Sequence, residues 1–146
     1  MKLLKSLKIL MLLFALIFIS SCDDGVVGNW DPMKWEYKNV SDGIKIIKPG
    51  GKEKDHAKYG AEIEVTKSGS VDVVCKNYKT FWFEEYPNMD YEEEFRYLFS
   101  SEYCEMKIDG NILHCEFFNV ESHQPQEFQI VVTAGDIFFH FNININ

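Results

Sequence analysis

From residue 61 onward much of the chain alternates apolar and polar side chains with a period of two, the pattern of strands buried on one face. In Ala61–Thr66, the residues Ala61, Ile63 and Val65 share a face opposite Glu62, Glu64 and Thr66. After the turn Lys67-Ser68-Gly69, a second strand turns Val71, Val73 and Cys75 inward, with Cys75 acting as a small hydrophobe. A shorter strand, Ile44–Ile47, is ended by Pro49-Gly50-Gly51. One region breaks the rhythm. Tyr91, Phe95, Leu98 and Phe99 recur at helical spacing, with Asp90 as N-cap and Glu93 three residues on. That spacing predicts one short helix near residues 90–99.

Two hairpins follow, each with a predicted register. In Tyr103–Phe118 the turn pair Asp109-Gly110 suits a type I′ turn and would pair Ile108 with Asn111, Met106 with Leu113 and Cys104 with Cys115. In Phe128–Ile143 the turn Ala134-Gly135 would pair Val132 with Ile137, Ile130 with Phe139 and Phe128 with Phe141. Opposed cysteines lie within the span a disulfide tolerates, so Cys104 and Cys115 are a candidate disulfide, with two buried free thiols as the alternative. Cys75 is then left over as a free thiol. Short strands separated by turn signals predict an all-β sandwich of about seven to nine strands, with the helix as an insertion.

The N-terminus has a different pattern. Lys2, Lys5 and Lys8 precede an apolar run from Ile9 to Ile19, followed by Ser20-Ser21-Cys22-Asp23-Asp24. A basic start, an apolar run too short to span a bilayer and a small-residue ending describe a secretory signal peptide over residues 1–21. The ending Ile19-Ser20-Ser21-Cys22 resembles the bacterial lipoprotein box. That resemblance implies that Cys22 is acylated and becomes the new N-terminus. An unmodified Cys22 beside an ordinary cleavage site and an uncleaved anchor are the alternatives. Two or more acyl chains anchor a protein firmly where one does not. Asp23-Asp24 resembles the acidic stretch of surface-exported lipoproteins of the Bacteroidetes, although the membrane face stays open. Residues 22–29 then form a short tether, residues 30–146 a single sandwich domain, and the bacterial cell envelope, at its outer membrane, is the expected location.

A second resemblance lies in Cys75-Lys76-Asn77-Tyr78-Lys79-Thr80-Phe81-Trp82, with the final hairpin at Phe128–Ile143. This strand, Asn-containing bend and Trp strand resemble BACON domains, the Bacteroidetes-associated modules with an immunoglobulin-like β-sandwich fold. The resemblance spans about residues 44–146. Two features depart from the family pattern: the extra stretch near 84–102, and an end in Asn-Ile-Asn without the usual terminal Gln. The resemblance implies contact with glycans through aromatic side chains among Trp30, Trp35, Trp82 and Tyr86. Each has a packing alternative: Trp30 and Trp35 plug one end of the sandwich, and Trp82, between Phe81 and Phe83, belongs to the core.

Charge narrows the partners. The full chain carries 15 basic and 23 acidic residues, a net charge of −8. Loss of Lys2, Lys5 and Lys8 with the signal peptide makes the balance still more acidic. Nucleic acid and anionic lipid surfaces need a basic footprint and are disfavoured. The acidic group Glu84, Glu85, Asp90, Glu92, Glu93 and Glu94 lacks the spaced oxygen ligands around a Gly that a Ca²⁺ loop uses, and reads as a solvated face. His56, His114 and His140 have no sequence companions for catalysis. No catalytic residue, metal site or cofactor is expected.

The expected function is therefore a non-catalytic, membrane-anchored binding or spacer module with glycan contact. An assembly subunit docking another envelope protein through its outer sheet face is the alternative. An enzyme would need a cleft gathering His114 or His140 with carboxylates. Mass spectrometry of the mature N-terminus is expected to find acyl mass on Cys22. An unmodified Cys22 would remove the lipid tether.

Overall fold

Alternation along the chain becomes two facing sheets. The computed structural model describes residues 31–50, 60–89, 96–122 and 124–146. Ten strands occur among them: β1 Trp35–Lys38, β2 Ile44–Lys48, β3 Ala61–Val65, β4 Gly69–Cys75, β5 Trp82–Glu85, β6 Leu98–Ser100, β7 Cys104–Asp109, β8 Ile112–Phe117, β9 Gln126–Thr133 and β10 Phe138–Ile145. One sheet has the order β1-β4-β8-β7-β6 and the other β2-β3-β10-β9-β5. They lie within the compact unit Pro32–Asn146. Four strands of the first sheet, β1-β4-β8-β7, follow the ABED order of an immunoglobulin-like sandwich, and β5-β9-β10 follow its CFG order. β3 lies parallel to β10, and all the other pairings are antiparallel. The sandwich expected from the sequence is the fold observed, with short edge strands β1 and β6 raising the strand count.

The inward faces are those the alternation selects. Ala61, Ile63 and Val65 are fully buried, as are Val71, Val73 and Cys75. In the sheet of β3, Ile130, Val132, Phe139, Phe141, Ile143 and Ile145 also face inward, none more than 1% exposed. Burying each such side chain contributes about 1.5–3 kcal/mol. Trp35 packs onto this layer, with ring centroids 5.2 Å from Phe81, 5.1 Å from Phe139 and 5.1 Å from Phe141. Asn77 fixes the entry to β1. Its Oδ1 accepts from the Lys34 backbone at 2.8 Å, and its Nδ2 donates to the Pro32 carbonyl at 3.0 Å.

Three expectations need correction. The helix near 90–99 lies partly outside the described residues; residues 96 and 97 are a 3-10 turn, but its last two residues are strand, Leu98 pairing with Lys107 and Phe99 with Met106. The free edge of β7 supplies backbone partners that an isolated short helix must do without. The first hairpin is shifted by two residues. Asp109 opposes Ile112, Ile108 opposes Leu113, Met106 opposes Cys115 and Cys104 opposes Phe117. Gly110 takes φ +58 at the first loop position, and the Asn111 side chain donates to the Cys75 carbonyl at 2.8 Å. Gly therefore opens the two-residue loop instead of closing it, which a II′-type turn accommodates.

The second hairpin is shifted by two as well. Phe138 opposes Thr133, Phe139 opposes Val132 and Phe141 opposes Ile130. Its loop is four residues long. The Thr133 hydroxyl shares its proton between the carbonyls of Gly135 at 2.6 Å and Ile137 at 2.8 Å. A shift of two keeps every side chain on its face, so both cores survive while the opposed pairs change. Cys104 and Cys115 are consequently diagonal neighbours, and both thiols are free and buried.

The register has a chemical test. Met106→Cys places a thiol directly opposite Cys115, and mild oxidation is expected to form a 106–115 disulfide while Cys104 stays free. Peptide mapping that found a 104–115 bond instead would contradict the observed register.

Candidate functional site: an aromatic cleft at the sandwich edge

Unequal strand lengths open a cleft. β5 pairs only with Val131, Val132 and Thr133, at the far end of the eight-residue β9. The earlier part of β9, from Gln126, has no strand partner on that side among the described residues. On the facing sheet the edge is β6, only three residues long. Between these two edges lies a cleft of about 680 Å³.

Its floor is aromatic. Tyr86, Phe99 and Phe128 line it, and with the buried Phe83 behind Tyr86 they form a chain of ring contacts, with centroids 5.5, 5.0 and 5.7 Å apart along the series. These spacings fall in the range of favourable edge and tilted ring pairs. Tyr86 and Phe99 are buried, and Phe128 and Tyr103 are half-buried. The rim is polar, with Asn88, Ser100, Glu102 and Gln126 among the lining residues. Tyr103 donates its hydroxyl to Gln126 Oε1 at 3.4 Å, while Gln126 Nε2 donates to the Gln124 carbonyl at 3.3 Å. The rim amide is thus held in place from both ends. An apolar floor with a few placed polar groups is the usual make-up of a small-molecule site.

The residues singled out in the sequence do not converge on this cleft. Tyr86 lines it, but is 8% exposed. Trp35 plugs the core, and its indole Nε1 is buried with no hydrogen-bond partner among the described residues. Trp82 does not belong to the core. Phe81 and Phe83 on either side of it are fully buried, so the pleat turns Trp82 to the outer face, where it is half-exposed. Cys22 and Trp30 lie outside the described residues, as do His56 and the carboxylates from Asp90 to Glu94. Phe99, Tyr103, Phe128 and Gln126 carry the cleft without having been singled out. The signal for them was the length mismatch between β5 and β9, which appears only once the pairing is known.

Outside the cleft, the histidines His114 and His140 are bound to structural partners. His114 Nδ1 lies 2.7 Å from Asp72 Oδ1, and Asn39 Nδ2 donates to the other Asp72 oxygen at 2.6 Å. The Asn39 bond, then the His114 contact, hold the Asp72 carboxyl below the usual carboxylate range. His140 Nδ1 sits 3.3 Å from Gln129 Oε1. Burial pushes the Cys104 thiol up to about 11, against a weaker opposing bond from Ser101. Burial raises Cys115 and Cys75 as well, so all three thiols stay protonated near neutral pH and are poor nucleophiles. Neither His nor Cys lines the cleft. Among the described residues no group of three His, Cys, Asp or Glu is placed to hold a metal ion. None of their helices is long and apolar enough to cross a membrane. The cleft offers ring faces and hydrogen-bonding groups, which suit binding.

No family model and no curated protein matches the chain. Among solved structures, the chain is similar to an NMR structure of a protein from Bacteroides thetaiotaomicron. The TM-score is 0.53 at 27% identity, covering 82% of this chain and 92% of that one.

Proposed function

We propose that this chain is a lipid-anchored, non-catalytic binding module of the bacterial cell envelope, BACON-like in type, and that its edge cleft contacts glycans. The cleft carries the proposal: rings at its floor suit the apolar faces of sugars, and amides, hydroxyls and carboxylates at its rim suit their hydroxyl groups. The lipoprotein-box resemblance at Cys22 supports the anchor. The similarity to a Bacteroides protein agrees with a Bacteroidetes-type lipoprotein. A net charge of −8 suits neutral ligands better than anionic ones.

One observation favours a second reading, an envelope protein as partner. Leu98 on the edge strand β6 is 40% exposed and Tyr97 just before it 48%, and β6 has no strand partner on its outer side among the described residues, a template for strand addition. Glycan-array and calorimetric binding to the full chain, purified in a detergent without a sugar headgroup, separates the two. A glycan ligand is expected, with Tyr103→Ala weakening it roughly tenfold, a loss of about 1.4 kcal/mol. If no glycan bound, the glycan proposal would fall and the protein partner would stand.

A further inference from the structure

On the outward face of the sheet β2-β3-β10-β9-β5, the central strand β10 differs in chemistry from its charged neighbours. Charged residues make up 26% of the chain, yet the outward positions of β10 carry no carboxylate and no lysine or arginine. In order they are Phe138, His140, Asn142 and Asn144, and Asn146 follows the strand. β10 sits in the middle of its sheet. Asn is depleted from strands, where Thr or Val would hold the same position better. Solubility does not require amides here either, because Glu62 and Glu64 on the neighbouring β3 already supply charge.

The face has an aromatic end and a polar end. Trp82 and Phe138 both pair with Thr133 and so flank it, and Phe138 is 50% exposed. Along β10 the amides come next. Gln129 Nε2 donates to Asn142 Oδ1 at 2.8 Å, a bond that leaves the Asn142 N–H groups uncommitted among the described residues. Asn144 Nδ2 donates to Glu62 at 3.4 Å and Asn146 Nδ2 to Glu64 at 3.4 Å, which leaves both amide oxygens as acceptors. The row ends in a notch of about 350 Å³ that Asn144 and Asn146 line with residues 125–127. Beside His140, residue 60 is Gly. A Cβ there would lie 3.3 Å from the His140 carbonyl and 3.5 Å from Asn142 Nδ2.

We infer that this face is a second binding site, a platform on which an extended neutral oligosaccharide lies along β10. The inference rests on the glycan-contact proposal and extends it from the cleft to the sheet. Ring faces at Trp82 and Phe138 stack on one sugar, while the amide row offers donors and acceptors to the hydroxyls of those that follow. The row from Phe138 to Asn146 runs about 27 Å at about 3.4 Å per residue, so it matches a chain of several sugars and exceeds a monosaccharide. Glu64 and Glu127 beside the row accept from hydroxyl groups and disfavour anionic glycans, while Glu62 is paired with Lys48 at 2.9 Å. A protein partner would need a more apolar centre than amides provide.

The test is calorimetry on the full chain, purified in a detergent without a sugar headgroup. The probes are neutral gluco-, xylo- and manno-hexasaccharides, their disaccharides, and an oligogalacturonate hexamer. One of the neutral hexasaccharides is expected to bind, with its disaccharide at least tenfold weaker and the acidic hexamer weaker still. Phe138→Ala and Asn142→Ala are each expected to lower affinity about tenfold, whereas Lys107→Ala, on the other sheet and outside both sites, is expected to leave hexasaccharide binding unchanged. Should a face variant fold poorly by circular dichroism, Asn142→Asp keeps the side-chain size and is expected to give the same loss. Hexasaccharide binding abolished by Tyr103→Ala but untouched by the face variants would overturn the platform and leave the cleft proposal intact. Tighter binding of the acidic hexamer would overturn it too. If no probe bound the unmodified chain, platform and glycan contact would both fall.

Discussion

The sandwich depends on the position of its last strand. β10 is clamped between β9, antiparallel, and β3, parallel, so both its edges are hydrogen-bonded. Its inward residues Phe139, Phe141, Ile143 and Ile145 form the centre of one core layer. The parallel pairing joins segments far apart in sequence, as the contact of Asn144 with Glu62 across 82 positions illustrates. Such non-local pairing cannot form until the C-terminal strand arrives, which makes closure of the second sheet a late step.

The same pleat that buries one side of β10 exposes the other. Inner positions are filled by rings and branched chains, and outer positions by an imidazole and amides that the core does not use. The edge cleft has a related origin. β5 is too short to cover β9, and the uncovered length lies opposite the short edge strand β6. Both proposed binding surfaces thus lie where the sandwich is incomplete or where a buried strand shows its back.

Alternation made the faces legible and left the pairing open. Val71, Val73 and Cys75 point inward as their spacing predicts, because one buried face fixes the parity of a strand. Parity does not change when a hairpin slips by two residues. Both hairpins slipped by that amount, and only turn geometry at Gly110 and the Thr133 hydroxyl decides between the registers. Phe81-Trp82-Phe83 has no polar member to mark its parity, so the outward turn of Trp82 could not be read. Leu98 and Phe99 fit a helical stripe as well as a strand, and the open edge of β7 settled the matter. The cleft was invisible because it follows from which strands pair and how long each is.

Core and platform both require β10 to lie between two partners, and backbone hydrogen exchange tests that most directly. In a central strand successive amides donate to alternate neighbours, so every amide from residue 141 to 145 is expected to be protected and to exchange only with global unfolding. If every second amide in that stretch exchanged rapidly, β10 would be an edge strand, and both the core arrangement and its outward platform would be contradicted.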